Sequence, residues 1–271
     1  MKYGIFQIRT FNRPLHNQYK KTHGVAAAKW RAADCDFHLV GHHGEPDKIF
    51  KNSTVPDFRH DLKNKTKGKF PLVVRWIFDN FNCEYDAIGL LDDDGHFIDP
   101  VEAVGQHRRC FSRRKKAGFL GPIHGVRLWS HHGSPKDKNF IAKLHCPPWT
   151  TFGFQAYRCE AMSQIPYYKF LSKVQFRLDY YLAAHLHNAG WDCYELRQRF
   201  DHTCSNGIRS KNGVDLEHAL YRLEQTEDDH YAFLEDFDET TKRAKWMLPQ
   251  LDKIKNGELR KWKKLIREGA V

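Results

Sequence analysis

An apolar run, Ala87-Ile88-Gly89-Leu90-Leu91, stops on three consecutive aspartates, Asp92-Asp93-Asp94, and a glycine, Gly95. Five apolar residues are too few for a buried helix and suit a strand covered on both faces. Such a strand delivers its terminal carboxylates to one edge of a sheet. In open α/β sheets, ligands sit beyond the carboxyl ends of the strands. Three adjacent carboxylates repel one another and are costly to desolvate, and a divalent cation removes that cost. Mg²⁺ or Mn²⁺ takes one or two carboxylates and completes its shell with phosphate oxygens and water. If the backbone stays extended, Asp92 and Asp94 fall on one side and Asp93 on the other.

The rest of the chain supplies the sheet that this strand needs. Short apolar runs predict strands at Tyr3–Ile8, Asp36–Gly41, Gly118–Ile123, Thr151–Tyr157 and Trp191–Leu196. Helical spacing predicts helices at Gln18–Ala33, Pro71–Phe81 and Phe176–Ala189, the last ended by Gly190, with a further helical stretch beginning at Phe97–Val104. Residues 42–69 are polar and read as loop with short helix. Alternating strands and helices imply an α/β fold with a mainly parallel central sheet and helices on both faces. Near Gly213 the pattern gives way to charged helix over residues 215–268, with a break expected at Pro249. The expected organisation is an α/β domain at 1–212 and a charged helical C-terminal extension at 213–271.

The chain has 271 residues and seven cysteines, scattered and without a Cys-x-x-Cys pair. That spacing argues against a disulfide framework or a zinc ribbon and fits a reducing compartment. The N-terminus does not read as a signal peptide and no run is long enough for a membrane span, so a cytoplasmic protein is expected. The formal net charge of +11 biases partners toward polyanions. Residues 106–145 carry ten Lys/Arg against one acid, and residues 242–267 ten against two. Residues 215–239 reverse the balance, with ten acids and one arginine. The last two segments can neutralise each other as neighbouring helices. The middle segment has no such neighbour and is the better candidate for an anion-binding face, through Arg108, Arg109, Arg113, Arg114, Lys115 and Lys116.

The order of strand, Arg9-Thr10-Phe11-Asn12-Arg13-Pro14, helix, strand, helix and Leu90-Leu91-Asp92-Asp93-Asp94 resembles a GT-A glycosyltransferase. Phe152-Gly153-Phe154 resembles that family's glycine-containing strand near the donor sugar. Leu178-Asp179-Tyr180 resembles the start of its acidic acceptor-side helix, with Leu178 standing where the family often has Glu, and Asp201-His202-Thr203 resembles its late histidine ligand. The similarity spans about residues 1–210. It implies Asp92, Asp94 and His202 as ligands of Mn²⁺ or Mg²⁺, and Thr10, Arg13, Asp93 and Gly153 as contacts to a nucleotide-sugar donor, a UDP-sugar first among them. It implies Asp179 as the general base that deprotonates the acceptor hydroxyl. The competing reading of Asp179 is a helix N-terminal charge that satisfies the dipole.

The positive charge points to DNA as the acceptor. In overall type the chain is similar to viral glycosyltransferases that modify hydroxymethylated pyrimidines, which would place it in a host cytoplasm. A GT-A enzyme acting on a polysaccharide or lipid-linked sugar, with its basic tail on an anionic membrane, is the alternative. A metal-dependent nuclease would use the same carboxylates, but no further carboxylate pair falls at a matching strand end. A non-catalytic nucleic-acid-binding protein leaves the acidic strand end without a purpose.

Overall fold

The structure is a computed structural model that describes residues 1–10, 30, 32–43, 53–54, 69–92, 96–122, 141–144, 153–167, 178–196, 198, 200–201 and 216–268. The elements run β1 (Tyr3–Thr10), β2 (Asp36–His43), β3 (Ser53–Thr54), α1 (Lys69–Phe81), β4 (Ala87–Asp92), β5 (His96–Phe97), α2 (Pro100–Arg113), β6 (Ala117–Pro122) and β7 (Ile141–Leu144). They continue with β8 (Phe154–Arg158), α3 (Cys159–Met162), α4 (Leu178–Asn188), β9 (Asp192–Leu196), β10 (Phe200–Asp201), α5 (Leu216–Leu234) and α6 (Lys242–Arg267).

Eight strands form one sheet in the order β3-β2-β1-β4-β8-β6-β9-β7. β1, β2, β3 and β4 pair in parallel, as do β6 and β9. β8 runs antiparallel to both β4 and β6, and β7 antiparallel to β9. Six strands therefore share one direction, which makes the sheet mainly parallel, and β8 is a reversed strand at its centre.

Strand alternation sends side chains to two separate cores. On one face Phe6, Ile8, Ile88, Leu90, Phe119, Tyr157 and Cys193 meet Val73, Ile77 and Phe78 of α1 and Leu182, Ala183 and Leu186 of α4. On the other, Tyr3, Ile5, Ala87, Leu91, Leu120 and Phe154 meet Trp30 and the α2 residues Ala103, Val104, Cys110 and Phe111. Helices thus cover both faces, which is why β4 reads as continuously apolar. The free cysteines Cys35, Cys110, Cys159 and Cys193 are buried and Cys83 is exposed.

Three expectations shift. The helix begun at Phe97 in the sequence reading starts at Pro100. Asp99 caps it by accepting a hydrogen bond from the Glu102 N–H at 2.9 Å, and proline is favoured in the first turn. Phe97 instead belongs to β5. The charged tail does not break at Pro249, which lies inside α6. Proline removes one backbone bond, and the carbonyl it orphans belongs to exposed Lys245, where water can serve it. The break falls at residues 235–241, ended by Thr241, whose hydroxyl accepts from the Ala244 N–H at 2.9 Å. Finally, α5 and α6 are not peripheral to the core. Phe233, Phe237, Ala244, Met247 and Leu251 join the same cluster as Tyr181, Leu182 and Ile88.

Candidate functional site

Parallel pairing of β1 with β4 puts Ile8 opposite Asp92, so both strands end at one edge of the sheet. Thr10 closes β1 at that edge, opposite His43 of β2. Antiparallel β8 begins where β4 ends. Leu91 faces Phe154, and Gly153 directly precedes it. Gly153 is buried and has φ +97°, a conformation that a side chain would strain. Three sequence-predicted positions, Thr10, Asp92 and Gly153, therefore converge on one edge through register alone. The side chains of Thr10 and Asp92 are outside the description, and Arg13, Asp93, Asp94 and His202 lie outside the described residues.

The described neighbours of Asp94 and His202 are brought together. Two residues after Asp94, His96 opens β5, and β5 pairs antiparallel with β10 so that His96 faces Asp201. Asp201 directly precedes His202. Aromatic packing holds this small ribbon in place. Phe97 lies edge-on to Phe154 and Phe200, with centroids 4.7 and 4.9 Å away. Trp30 meets Phe97 edge-on at 5.8 Å. The segment entering β10 is tied down by Gln198, whose amide donates to the Ala103 carbonyl at 3.2 Å and whose side chain also bonds His107. His107 is fully buried, stacked 5.2 Å from Phe154 and bonded to the Tyr3 hydroxyl at 3.0 Å. Burial pushes its pKa down to about 4, so this imidazole is a neutral brace. The described residues contain no group of three His, Cys, Asp or Glu side chains able to hold a metal ion. The ligands expected from the sequence, Asp92, Asp94 and His202, would supply carboxylate oxygens and one imidazole, a chemistry that suits Mn²⁺ or Mg²⁺.

Asp179 is the second residue of α4, and the fold holds a buried acid on β9 that sequence reasoning missed. Glu195 on β9 is fully buried, and neither carboxylate oxygen is hydrogen-bonded among the described residues. Burial pushes its pKa up to about 8, so it holds its proton at neutral pH. Cys193, two residues earlier on the same face, donates its thiol to the Ala183 carbonyl of α4 at 3.6 Å. From Cys193 to Glu195 the strand advances about 6.6 Å. From Ala183 back to Asp179 the helix spans about 6 Å. Because α4 turns back into β9, the backbone positions 179 and 195 come level with each other and with Leu90, two residues short of Asp92 and three strands across the sheet from it. The available signal was a lone glutamate in the buried run Asp192-Cys-Tyr-Glu195-Leu.

The six basic residues predicted for an anion-binding face are elsewhere. They lie on the last turns of α2 and the turn into β6, and β6 begins at the opposite edge, level with Asp86. The length of β6 separates them from the Asp92 edge by about 20 Å. Arg108 is engaged with Asp34, at 3.3 Å from its carboxylate, and with backbone carbonyls. Arg114 packs on the Tyr194 ring at 5.2 Å. Arg109, Arg113, Lys115 and Lys116 are exposed.

No protein-family model and no curated protein matches the sequence. Among solved structures, the chain is similar to the catalytic domain of Drosophila β1,4-galactosyltransferase 7 in complex with xylobiose, at 12% identity over 77% of this chain and 74% of that one, TM-score 0.43. It is similar to apo mouse xyloside xylosyltransferase 1 at 14% identity over 70% of this chain and 82% of that one, TM-score 0.41. It is also similar to a CMP:2-keto-3-deoxy-manno-octonic acid synthetase complexed with CTP, at 12% identity over 83% of this chain and the whole of that one, TM-score 0.42. Likenesses at this level establish no family for the chain.

Proposed function

We propose that the protein is a metal-dependent glycosyltransferase that moves a sugar from a nucleotide-sugar donor, a UDP-sugar first among them, to a hydroxyl acceptor. What carries this reading is the convergence of strand ends: β1 and β4 run in parallel to one edge with Ile8 opposite Asp92, β8 starts beside them, and β5 pairs with β10 next to His202. Asp92, Asp94 and His202 would hold Mn²⁺ or Mg²⁺, which would stabilise charge developing on the departing diphosphate. Thr10, Arg13, Asp93 and Gly153 would hold the donor. Asp179 would accept the acceptor's proton, with the buried acid Glu195 level with it.

Two acceptor classes remain. A hydroxymethylated pyrimidine in DNA is supported by the net charge of +11. A polysaccharide or lipid-linked sugar is supported by the placement of Arg109, Arg113, Lys115 and Lys116 about 20 Å from the Asp92 edge, away from the reacting groups.

The reading is tested by titrating UDP-sugars and other sugar nucleotides into the protein with Mn²⁺, then supplying hydroxymethylated DNA and oligosaccharide acceptors. Mn²⁺-dependent donor binding is expected, and Asp92→Asn should abolish it. Asp179→Asn should leave donor binding intact and slow transfer by about 10²–10⁴-fold. Donor binding that ignores both Mn²⁺ and Asp92→Asn would remove the assignment.

A further inference from the structure

The long C-terminal helix carries a surface that the candidate site does not use. At 100° per residue, Lys242, Lys245, Lys253, Arg260, Lys263, Lys264 and Arg267 fall within an arc of about 100° along one side of α6. All seven are exposed. The other residues in that arc are Trp246, Pro249 and Asn256, and no acid of the helix lies within it. Trp246 is 50% exposed. From Lys242 to Arg267 the stripe runs about 38 Å along the helix.

Neutralisation by the acidic helix α5 would make this an ordinary solvated face, but α5 lies on another side of α6. It meets α6 through His230 and Asp252 at 3.3 Å, Tyr231 and Lys255 at 5.9 Å, and Arg222 over the Trp262 ring at 5.2 Å. Of the seven stripe cations, Lys264 alone is ion-paired among the described residues, to Glu268 at 3.7 Å. The first turn is pinned to the sheet at the edge away from Asp92. Arg243 donates to the Trp191 carbonyl at 2.8 Å and to Asp192 at 3.3 Å, and the Asp192 N–H donates to the Lys116 carbonyl at 2.7 Å. Exposed Lys115 and Lys116 therefore lie beside the start of the stripe.

We infer that this face of α6 docks the protein on an anionic membrane surface. Cations spread over one side of a 26-residue helix can face an extended anionic surface together. Five of the seven cations are lysines, point charges suited to a diffuse field of headgroups, while phosphate recognition in nucleic acid favours the forked guanidinium of arginine. An exposed tryptophan amid the cations matches the preference of that ring for the interface between headgroup and acyl chain. The apolar side of α6 is spent on the core through Ala244, Met247 and Leu251, so attachment is electrostatic and reversible. The docking face holds whether or not the distant edge transfers sugar.

The test is cosedimentation of the full chain with vesicles of phosphatidylcholine alone or mixed with phosphatidylserine, at low and high salt, alongside a binding assay with unmodified duplex DNA. Binding to the mixed vesicles that weakens with salt is expected, with none to neutral vesicles. Each charge near the surface contributes about fivefold, so Lys253→Glu, Arg260→Glu and Lys263→Glu together should weaken partitioning by at least about 100-fold. Trp246→Ala should weaken it by a smaller factor that salt does not alter. If the triple variant no longer melts cooperatively, Lys253→Gln with Lys263→Gln takes its place, with a loss of about 25-fold expected. Failure to bind anionic vesicles, equal binding to neutral ones, or partitioning indifferent to the charge variants would overturn the proposal. So would DNA binding that the same variants abolish, in the absence of vesicle binding. Donor titration in the same preparation reports separately on the Asp92 edge.

Discussion

An ionised carboxylate with no partner in a protein interior costs several kcal/mol, and Glu195 sits in that position on β9 without either oxygen bonded among the described residues. The protein avoids the cost by keeping the proton, with the pKa pushed from the ordinary 4.5 up to about 8 by burial. The folded carboxyl stays neutral up to about pH 8, while the unfolded one releases its proton near 4.5. Within that window each rise in pH favours the unfolded chain, so this group's contribution to stability is intact below 4.5 and lost progressively up to 8. Glu195→Gln keeps the shape and removes the ionisation. Denaturant melts across that range should show the wild type losing on the order of 4 kcal/mol relative to the variant. Parallel pH profiles for the two proteins would mean that Glu195 has a partner or is hydrated. Asp192, three residues earlier, shows the opposite outcome. Burial pushes its pKa up, yet Lys143 at 2.8 Å and Arg243 at 3.3 Å together hold it below the usual carboxylate range. Both acids sit in one short strand, and the difference between them is invisible in the sequence because both partners of Asp192 come from elements remote in the chain.

At the scale of elements, most strands and helices were legible because each depends on local alternation. The strand at Ala87–Leu91 and the helix at Pro71–Phe81 appear within a residue or two of their expected bounds. The direction of β8 was not legible, since nothing in Phe154–Arg158 encodes which neighbours it joins. The pairing of β5 with β10 was likewise hidden, as two-residue strands leave no periodicity to read. Close approach between elements is another property that only the fold reveals. β6 shifts register against β9 between Ala117 and Phe119, and Gly118 occupies the irregularity. A Cβ added there would lie 2.8 Å from the Trp191 Cβ and 3.3 Å from the Ala161 Cβ. The Trp191 Cβ is fixed to the backbone and cannot rotate away, so relief requires β9 to move from β6. Gly118→Ala should cost about 1–3 kcal/mol by overpacking, read as a lower denaturant midpoint at unchanged slope. A wild-type midpoint would show that the two strands separate freely.

For the whole molecule, the sequence indicates which residues end strands but not which edge a given turn reaches. Asp92 could be placed because the carboxyl ends of parallel strands share an edge, whereas Gly153 reaches that edge only because β8 is reversed. Arg113 to Lys116 could not, because their position depends on α2 carrying the chain back across the sheet before β6 begins. The tail at 213–271 poses the same difficulty, since its charge suggests an appendage while its apolar side is part of the core. Phe233 stacks on Tyr181 with centroids 4.6 Å apart and meets His185 edge-on at 4.8 Å. Phe237, Met247 and Leu251 are buried in the same cluster. At the α4 end, Arg243 donates to the His187 and Trp191 carbonyls at 3.1 and 2.8 Å. Burying a large apolar side chain is worth about 1.5–3 kcal/mol, so these four together contribute roughly 6–12 kcal/mol, comparable with the whole 5–15 kcal/mol stability of an ordinary domain. A chain ending at residue 212 should therefore lack a cooperative thermal transition and expose Tyr181 and Leu182, binding a hydrophobic dye that the full chain does not. Were the tail an independent appendage, the shortened protein would instead melt as sharply, and at the same temperature, as the intact one.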